Sequence, residues 1–188
     1  MKIYLIRHGE TFGNSLKRYI GKTDEHLSDK GVAFLKTQQK IAVDRAYISP
    51  LLRCVETAEI LIEAPSIAFV GDLRECDFGD FENKNYLDLN GNMDYQSWID
   101  SNGKTPFPNG ECLDDFKIRC VKAFEKCVEL EVNQGDVEKK SIAFIVHNGT
   151  IMSIMEHLFG EYYFDYSVEN GKGYVLNLKN GEYIWKKL

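Results

Sequence analysis

Two short runs constrain this chain most. Ile142–Val146 reads IAFIV and Lys2–Arg7 reads KIYLIR, and neither alternates apolar with polar residues. A strand with one face in water alternates, whereas a strand covered on both faces does not. Both runs therefore belong inside a sheet with a layer of helices above and below. At 188 residues the chain is long enough to bury such a core as one domain, 1–188, without staples.

The remaining pattern supplies the layers. Ser28 reads as the cap of a helix over 29–42, and Arg45–Ile48 as a short strand. Ser49-Pro50 reads as a helix start, since serine caps free N–H groups and proline loses no bond at the first helical position. Leu51, Val55, Ala58 and Ile62 continue it at helical spacing, and Ile67–Val70 follows as a strand. Leu113, Phe116, Cys120, Ala123, Cys127 and Leu130 mark a long amphipathic helix. Ile151–Phe159 is a further helix stopped by Gly160. Gly173–Leu178 and Tyr183–Trp185 form a hairpin across Asn180-Gly181. The expected class is α/β: three layers, with a mostly parallel central sheet flanked by helices. Residues 82–110 depart from this rhythm, with six asparagines and two prolines. A polar stretch of that length in a small domain is usually functional, and it is read as an excursion over the active site, with a short helix near Tyr95–Ile99.

Charge narrows the partners. The net charge is −6, spread along the chain, which excludes a polybasic nucleic-acid binder. No apolar run has the roughly 18 residues of a membrane span, and the opening residues read as a strand rather than a leader. The five cysteines are odd in number and form no C-x-x-C, so free thiols in a reducing cytosol are expected, rather than disulfides or zinc.

Ligands of open α/β sheets gather beyond the carboxyl ends of the strands. There the chain places Arg7-His8-Gly9 after its first strand and His147-Asn148-Gly149 after its most apolar one, with Arg53 on the helix after Ser49-Pro50. Two histidines and two arginines at strand ends suit phosphoryl transfer. An imidazole takes the phosphoryl group covalently, guanidinium groups hold its oxygens, and a carboxyl group shuttles the proton. His26 before a helix cap and His157 in a last helical turn are read as structural. A metallohydrolase needs clustered ligands such as H-E-x-x-H, and none is present.

Leu5-Ile6-Arg7-His8-Gly9-Glu10-Thr11 with Asn14 resembles the signature of the histidine phosphatases, the phosphoglycerate mutase-like superfamily. The likeness continues in order through Gly21-Lys22-Thr23-Asp24, Leu27-Ser28-Asp29-Lys30-Gly31, Ser49-Pro50-Leu51-Leu52-Arg53, Glu56-Thr57-Ala58, Leu73-Arg74-Glu75, Phe78-Gly79, Gly110-Glu111 and His147. The resemblance implies a phosphoglycerate mutase-like fold and a metal-independent, cofactor-free cytoplasmic phosphomonoesterase acting on a small phosphorylated metabolite. It makes His8 the phosphorylated nucleophile and Glu75 the general acid/base. Arg7, Arg53 and His147 would bind the phosphoryl oxygens, with Asn14, Arg18, Gly21, Thr23 and Asn148 on the substrate side. Asn148 stands where glycine is frequent in the family, and asparagine is read as preserving a left-handed turn there. Asn83 and Phe81 stand where many relatives carry glycine and tryptophan.

Lys17–Asp24 and Cys76–Glu82 look most like α-ribazole phosphatases, which remove the 5′-phosphate of a benzimidazole riboside in cobalamin assembly. The alternatives are a broad-specificity histidine phosphatase or a cofactor-dependent phosphoglycerate mutase. A catalytically dead phospho-binding module is a further class, against which both His8 and Glu75 are retained. Residues 82–110 hold two lysines and four acids with no arginine, which suits a doubly anionic mutase substrate poorly. Tyr86, Tyr95, Trp98 and Phe107 within them suit either stacking on a flat ring or a small satellite core.

Overall fold

The computed structural model describes residues 1–135 and 138–188. In chain order the elements are β1 (Lys2–Arg7), α1 (Phe12–Ser15), α2 (Asp29–Lys36), β2 (Ile41–Ala42), β3 (Arg45–Ile48), α3 (Leu52–Leu61), β4 (Ile62–Glu63) and β5 (Ile67–Phe69), then α4 (Met93–Asp100), α5 (Leu113–Val132), β6 (Ser141–Val146), α6 (Asn148–Phe159), β7 (Gly173–Lys179) and β8 (Glu182–Lys187). Among the described residues the main sheet has the order β5-β3-β6-β1-β7-β8, and β2 pairs with β4 in a two-stranded ribbon. β1, β3, β5 and β6 run parallel, while β7 and β8 return antiparallel on one edge.

Both apolar runs are central, and their side chains divide between two cores. Ile3, Leu5, Ile142, Phe144 and Val146 pack toward Phe124, Ile151 and Met155 of α5 and α6. Ile6, Ala143 and Ile145 face Leu35 of α2 and Cys54, Ala58 and Leu61 of α3. Each large side chain buried this way stabilises the fold by roughly 1.5–3 kcal/mol. Asn180 and Gly181, both at positive φ, make the tight hairpin turn, and Gly160 (φ 75) ends α6 as expected. No helix among the described residues is long and apolar enough to cross a membrane.

The differences from the sequence reading lie at element ends. α2 stops at Lys36, because Ile41–Ala42 pairs with Ile62–Glu63, and that pairing also takes Ile62 out of α3. α3 starts at Leu52, with its first N–H bonded to the Asp24 carboxylate at 2.7 Å, so a remote loop caps the helix instead of Ser49. The strand expected over 67–70 ends at Phe69. α6 begins three residues earlier than expected, at Asn148. Asn148 is consequently a first-turn helical residue and not among those at positive φ, so the left-handed reading of it is corrected. Asn83 does take that conformation, at φ 60.

Candidate active site

The register puts Arg7 beside Val146 and Ile48 beside Ile145, so β1, β6 and β3 end together. His8, His147 and Ser49 therefore leave the sheet side by side. The His8 backbone continues the ladder, its N–H donating to Val146 at 3.0 Å. Its ring Nδ1 lies 2.7 Å from the Gly9 carbonyl, which only accepts, so Nδ1 carries the proton and Nε2 the lone pair. Thr57 fixes the turn by accepting from the Gly9 N–H at 2.9 Å and donating to the Arg53 carbonyl at 2.6 Å. Burial, with Arg53 and Arg7 adding to it, holds the His8 pKa well below the usual imidazole value. A neutral imidazole with a free Nε2 is the nucleophilic form.

His147 is fully buried, with its ring centroid 5.2 Å from that of His8. Its Nε2 is 2.7 Å from the Ser49 hydroxyl, which is where the serine of the expected cap is used. Burial and the same arginines keep His147 uncharged as well.

The two arginines are anchored by carbonyls rather than by carboxylates. Arg53, completely buried, donates to Thr23 at 2.7 Å and Gly21 at 2.8 Å, and Arg7 donates to Val168 at 2.7 Å. Such anchors hold the guanidinium groups without neutralising them. The Nε atoms of Arg7, Arg53 and Arg18 are all buried and unpartnered among the described residues. A buried donor left unpaired costs about 1–3 kcal/mol, a cost that an anion placed among them would remove.

Glu75 sits at the N-terminus of α6. Its carboxylate accepts from Cys76 N–H at 3.0 Å and Gly149 N–H at 3.2 Å. A Cβ at 149 would lie 2.4 Å from Glu75 Oε1, so a larger residue there would displace the carboxylate. Burial raises the Glu75 pKa despite these hydrogen bonds and both arginines. Arg119 holds the segment behind it, pairing with Glu111 at 2.6 Å and donating to the carbonyls of Asp72, Arg74 and Glu75. Glu111 is the anchor of that brace, just before the Cys112 cap of α5.

Arg7, His8, Asn14, Arg18, Glu75, Asn148 and Gly149 line one cavity of about 230 Å³. Arg53 and His147 are fully buried and are not on its wall. Gly21 and Thr23, expected on the substrate side, also stand outside it. Their N–H groups donate to Glu82 at 2.8 Å each while their carbonyls hold Arg53, so they position the clamp. Gly21 has no room for a side chain, since a Cβ would meet the Cys76 carbonyl at 1.9 Å. Asn148 lines the cavity and also ties the chain at 167–168, accepting from Val168 N–H at 2.9 Å and donating to Ser167 at 3.0 Å. Asn170 carried no signal in the sequence. Its amide donates to the carbonyls of His8 and Gly9 and to Asn14 Oδ1 at 3.0–3.3 Å, which leaves the Asn14 Nδ2 toward the cavity. His26 pairs with Glu56 and His157 with Glu125 at the surface, both away from the cavity.

The far wall is apolar, with Phe78, Trp98, Phe107, Phe116, Met152 and Phe164. Residues 82–110 contribute two of these. Phe107 packs on Phe81, Leu89 and Phe116 in a small separate core, and Tyr95 stacks on Trp98 at 6.1 Å. Of the two readings the sequence left open, the satellite core is the one that forms, and Trp98 and Phe107 on its inner edge face the cavity. Trp98 Nε1 is buried there without a partner among the described residues.

The model of the histidine phosphatase superfamily (branch 1) matches residues 3–188. The chain belongs to that superfamily. A 2,3-bisphosphoglycerate-dependent phosphoglycerate mutase of Nocardia farcinica is 27% identical over 191 residues, covering 83% of this chain and 76% of the relative. The α-ribazole phosphatase of Shigella flexneri superposes with a TM-score of 0.83 at 22% identity, covering 100% of this chain and 96% of that one. The phosphoglycerate mutase of Bacillus anthracis superposes at 0.79 with 21% identity, covering 100% and 92%. Phosphatases and mutases thus share this fold at similar distance, so the fold does not distinguish between them.

Proposed function

We propose that this histidine phosphatase superfamily member is a phosphomonoesterase that works through a phosphohistidine on His8. The observation that carries the reading is the uncharged His8, with Nε2 free, set among arginine N–H donors that are buried and unpaired. His8 Nε2 attacks phosphorus as the ester P–O bond breaks, and Glu75, whose pKa burial raises, gives its proton to the leaving oxygen. Glu75, now a carboxylate, takes a proton from water as that water attacks the phosphohistidine. Inorganic phosphate leaves and both groups return to their starting state. Arg7 and Asn14 on the cavity wall meet the charge on the phosphoryl oxygens, with Arg53 and His147 buried behind the wall, and no metal takes part. Arg18 and Asn148 flank the leaving group.

The apolar wall supports a flat, weakly polar leaving group, and α-ribazole 5′-phosphate is the specific substrate proposed, in a cytoplasmic enzyme. The decisive measurement is a turnover panel of α-ribazole 5′-phosphate, 3-phosphoglycerate with bisphosphoglycerate primer, and simple sugar phosphates. Preference for the primed phosphoglycerate would make this a mutase. Alkaline quenching with a labelled ester should trap phosphate on the enzyme, and His8→Ala should lose both label and at least ~10³-fold in kcat. Undiminished labelling of that variant would sink the assignment. Turnover should persist in EDTA, and its loss would reopen a metal-assisted reaction.

A further inference from the structure

His147, being uncharged, has two ring nitrogens and a single proton between them. Which nitrogen carries it matters, because an N–H attracts an anionic oxygen and a lone pair repels it. Among the described residues, the partners of the ring nitrogens are two side chains as completely buried as His147 itself. The Ser49 hydroxyl lies 2.7 Å from Nε2. The Cys54 thiol lies 3.6 Å from Nε2 and 3.9 Å from Nδ1.

The hydroxyl decides between the two tautomers. It has one proton to give, and sealed from solvent it needs an acceptor. With Nε2 unprotonated, that acceptor is an imidazole lone pair at the distance of a good hydrogen bond. With Nε2 protonated, serine would have to accept there, and its own proton would be left with the Cys54 sulfur, a weak acceptor. The thiol cannot offset this. Burial pushes its pKa up to about 12, so it stays protonated. Nδ1 meets only that sulfur, at the outer limit of a hydrogen bond, and a proton there is free for another partner.

We propose that Ser49 is a positioning residue: its hydroxyl donates to His147 Nε2 and fixes His147 as the Nδ1–H tautomer. The two imidazoles are then used in opposite senses. His8 offers the lone pair of Nε2, and His147 offers the proton of Nδ1. That a phosphoryl oxygen accepts this proton rests on the phosphomonoesterase reading, whereas the tautomer does not.

Long-range ¹H–¹⁵N correlation on protein labelled in its histidines tests this, since protonated and unprotonated ring nitrogens have separate shifts. His26→Gln and His157→Gln, both at the surface, leave His8 and His147 as the observed rings. We expect the His147 proton on Nδ1. A proton on Nε2 would overturn the proposal, and that result needs no variant of Ser49 to fold. In Ser49→Ala the His147 signals should move toward the other tautomer. The same variant should lose about 10- to 100-fold in kcat, the worth of a hydrogen bond to a charged group, with KM changing far less. A serine that merely packed would leave the tautomer in place, so unmoved signals in Ser49→Ala would overturn its role. Moved signals with full turnover would overturn the use of that proton in the reaction. If wild type forms no phosphohistidine, the phosphomonoesterase reading fails while the histidine spectrum still decides what Ser49 does.

Discussion

The floor of the site and its far wall are built on opposite principles. The floor is made of side chains from the ends of adjacent parallel strands, from α3 and from the loop that carries Glu75, locked mainly by backbone groups. His8 is fixed by the Gly9 carbonyl, Arg53 by the carbonyls of Gly21 and Thr23, and Glu75 by two N–H groups. The wall comes from Phe78, residues 82–110, α5, α6 and Phe164, held by aromatic rings packed edge to face, such as Phe81 on Phe107 at 5.8 Å. Hydrogen bonds to backbone fix direction, which a displacement reaction needs. Ring packing fixes shape but tolerates exchange, which suits a surface that selects a leaving group. On the proposed reading, reaction and substrate choice sit on separate parts of the chain and should be separable by mutation.

The sharpest way to break this division is at Glu75. Glu75→Gln should cost ~10²–10⁴-fold in kcat with an alkyl phosphate, whose leaving oxygen needs a proton, and far less with p-nitrophenyl phosphate. Equal losses on the two esters would mean that Glu75 only positions its neighbours. A smaller effect is expected on the wall. Trp98→Ala should lower kcat/KM for aryl esters about tenfold relative to alkyl esters, leaving phosphohistidine formation on small esters intact. Loss spread evenly over both classes would show that the wall supports the floor rather than the leaving group.

The smallest effect is on stability. His8 and His147 have folded-state pKa values well below 6.5, so below that pH the unfolded chain takes up protons that the folded chain refuses. Stability should therefore fall as pH drops through and below about 6.5, by roughly 1.4 kcal/mol per pH unit for each imidazole. Thermal unfolding at pH 7.5 and 5.5 reads this, and His147→Asn should flatten the dependence. An unchanged slope in that variant would mean that His147 is not held neutral.

Much of this was legible in the residues. IAFIV and KIYLIR imply a doubly covered sheet, and the alternate burial of Ile142, Phe144 and Val146 against Ala143 and Ile145 follows from a period of two. What was misread shares one cause. Ser49 looks like a cap by local chemistry, but its hydroxyl belongs to His147, and the capping oxygen comes from Asp24. Ile41 and Ile62 extend helices by periodicity, yet pair with each other. In each case a partner distant in sequence offered a better bond than the local one.

By itself, the sequence determined the α/β class, the two histidines and two arginines at strand ends, and the superfamily, because these depend on periodicity and on residue order. The tertiary structure alone decided which groups touch. It set Gly21 and Thr23 behind Arg53, brought Asn170 to Asn14, and turned Trp98 and Phe107 toward His8. It also brought the Ser49 hydroxyl to the ring of His147. The reason is physical: hydrogen bonds and fields act over a few ångströms of space, and a linear chain does not record which of its distant residues will share them.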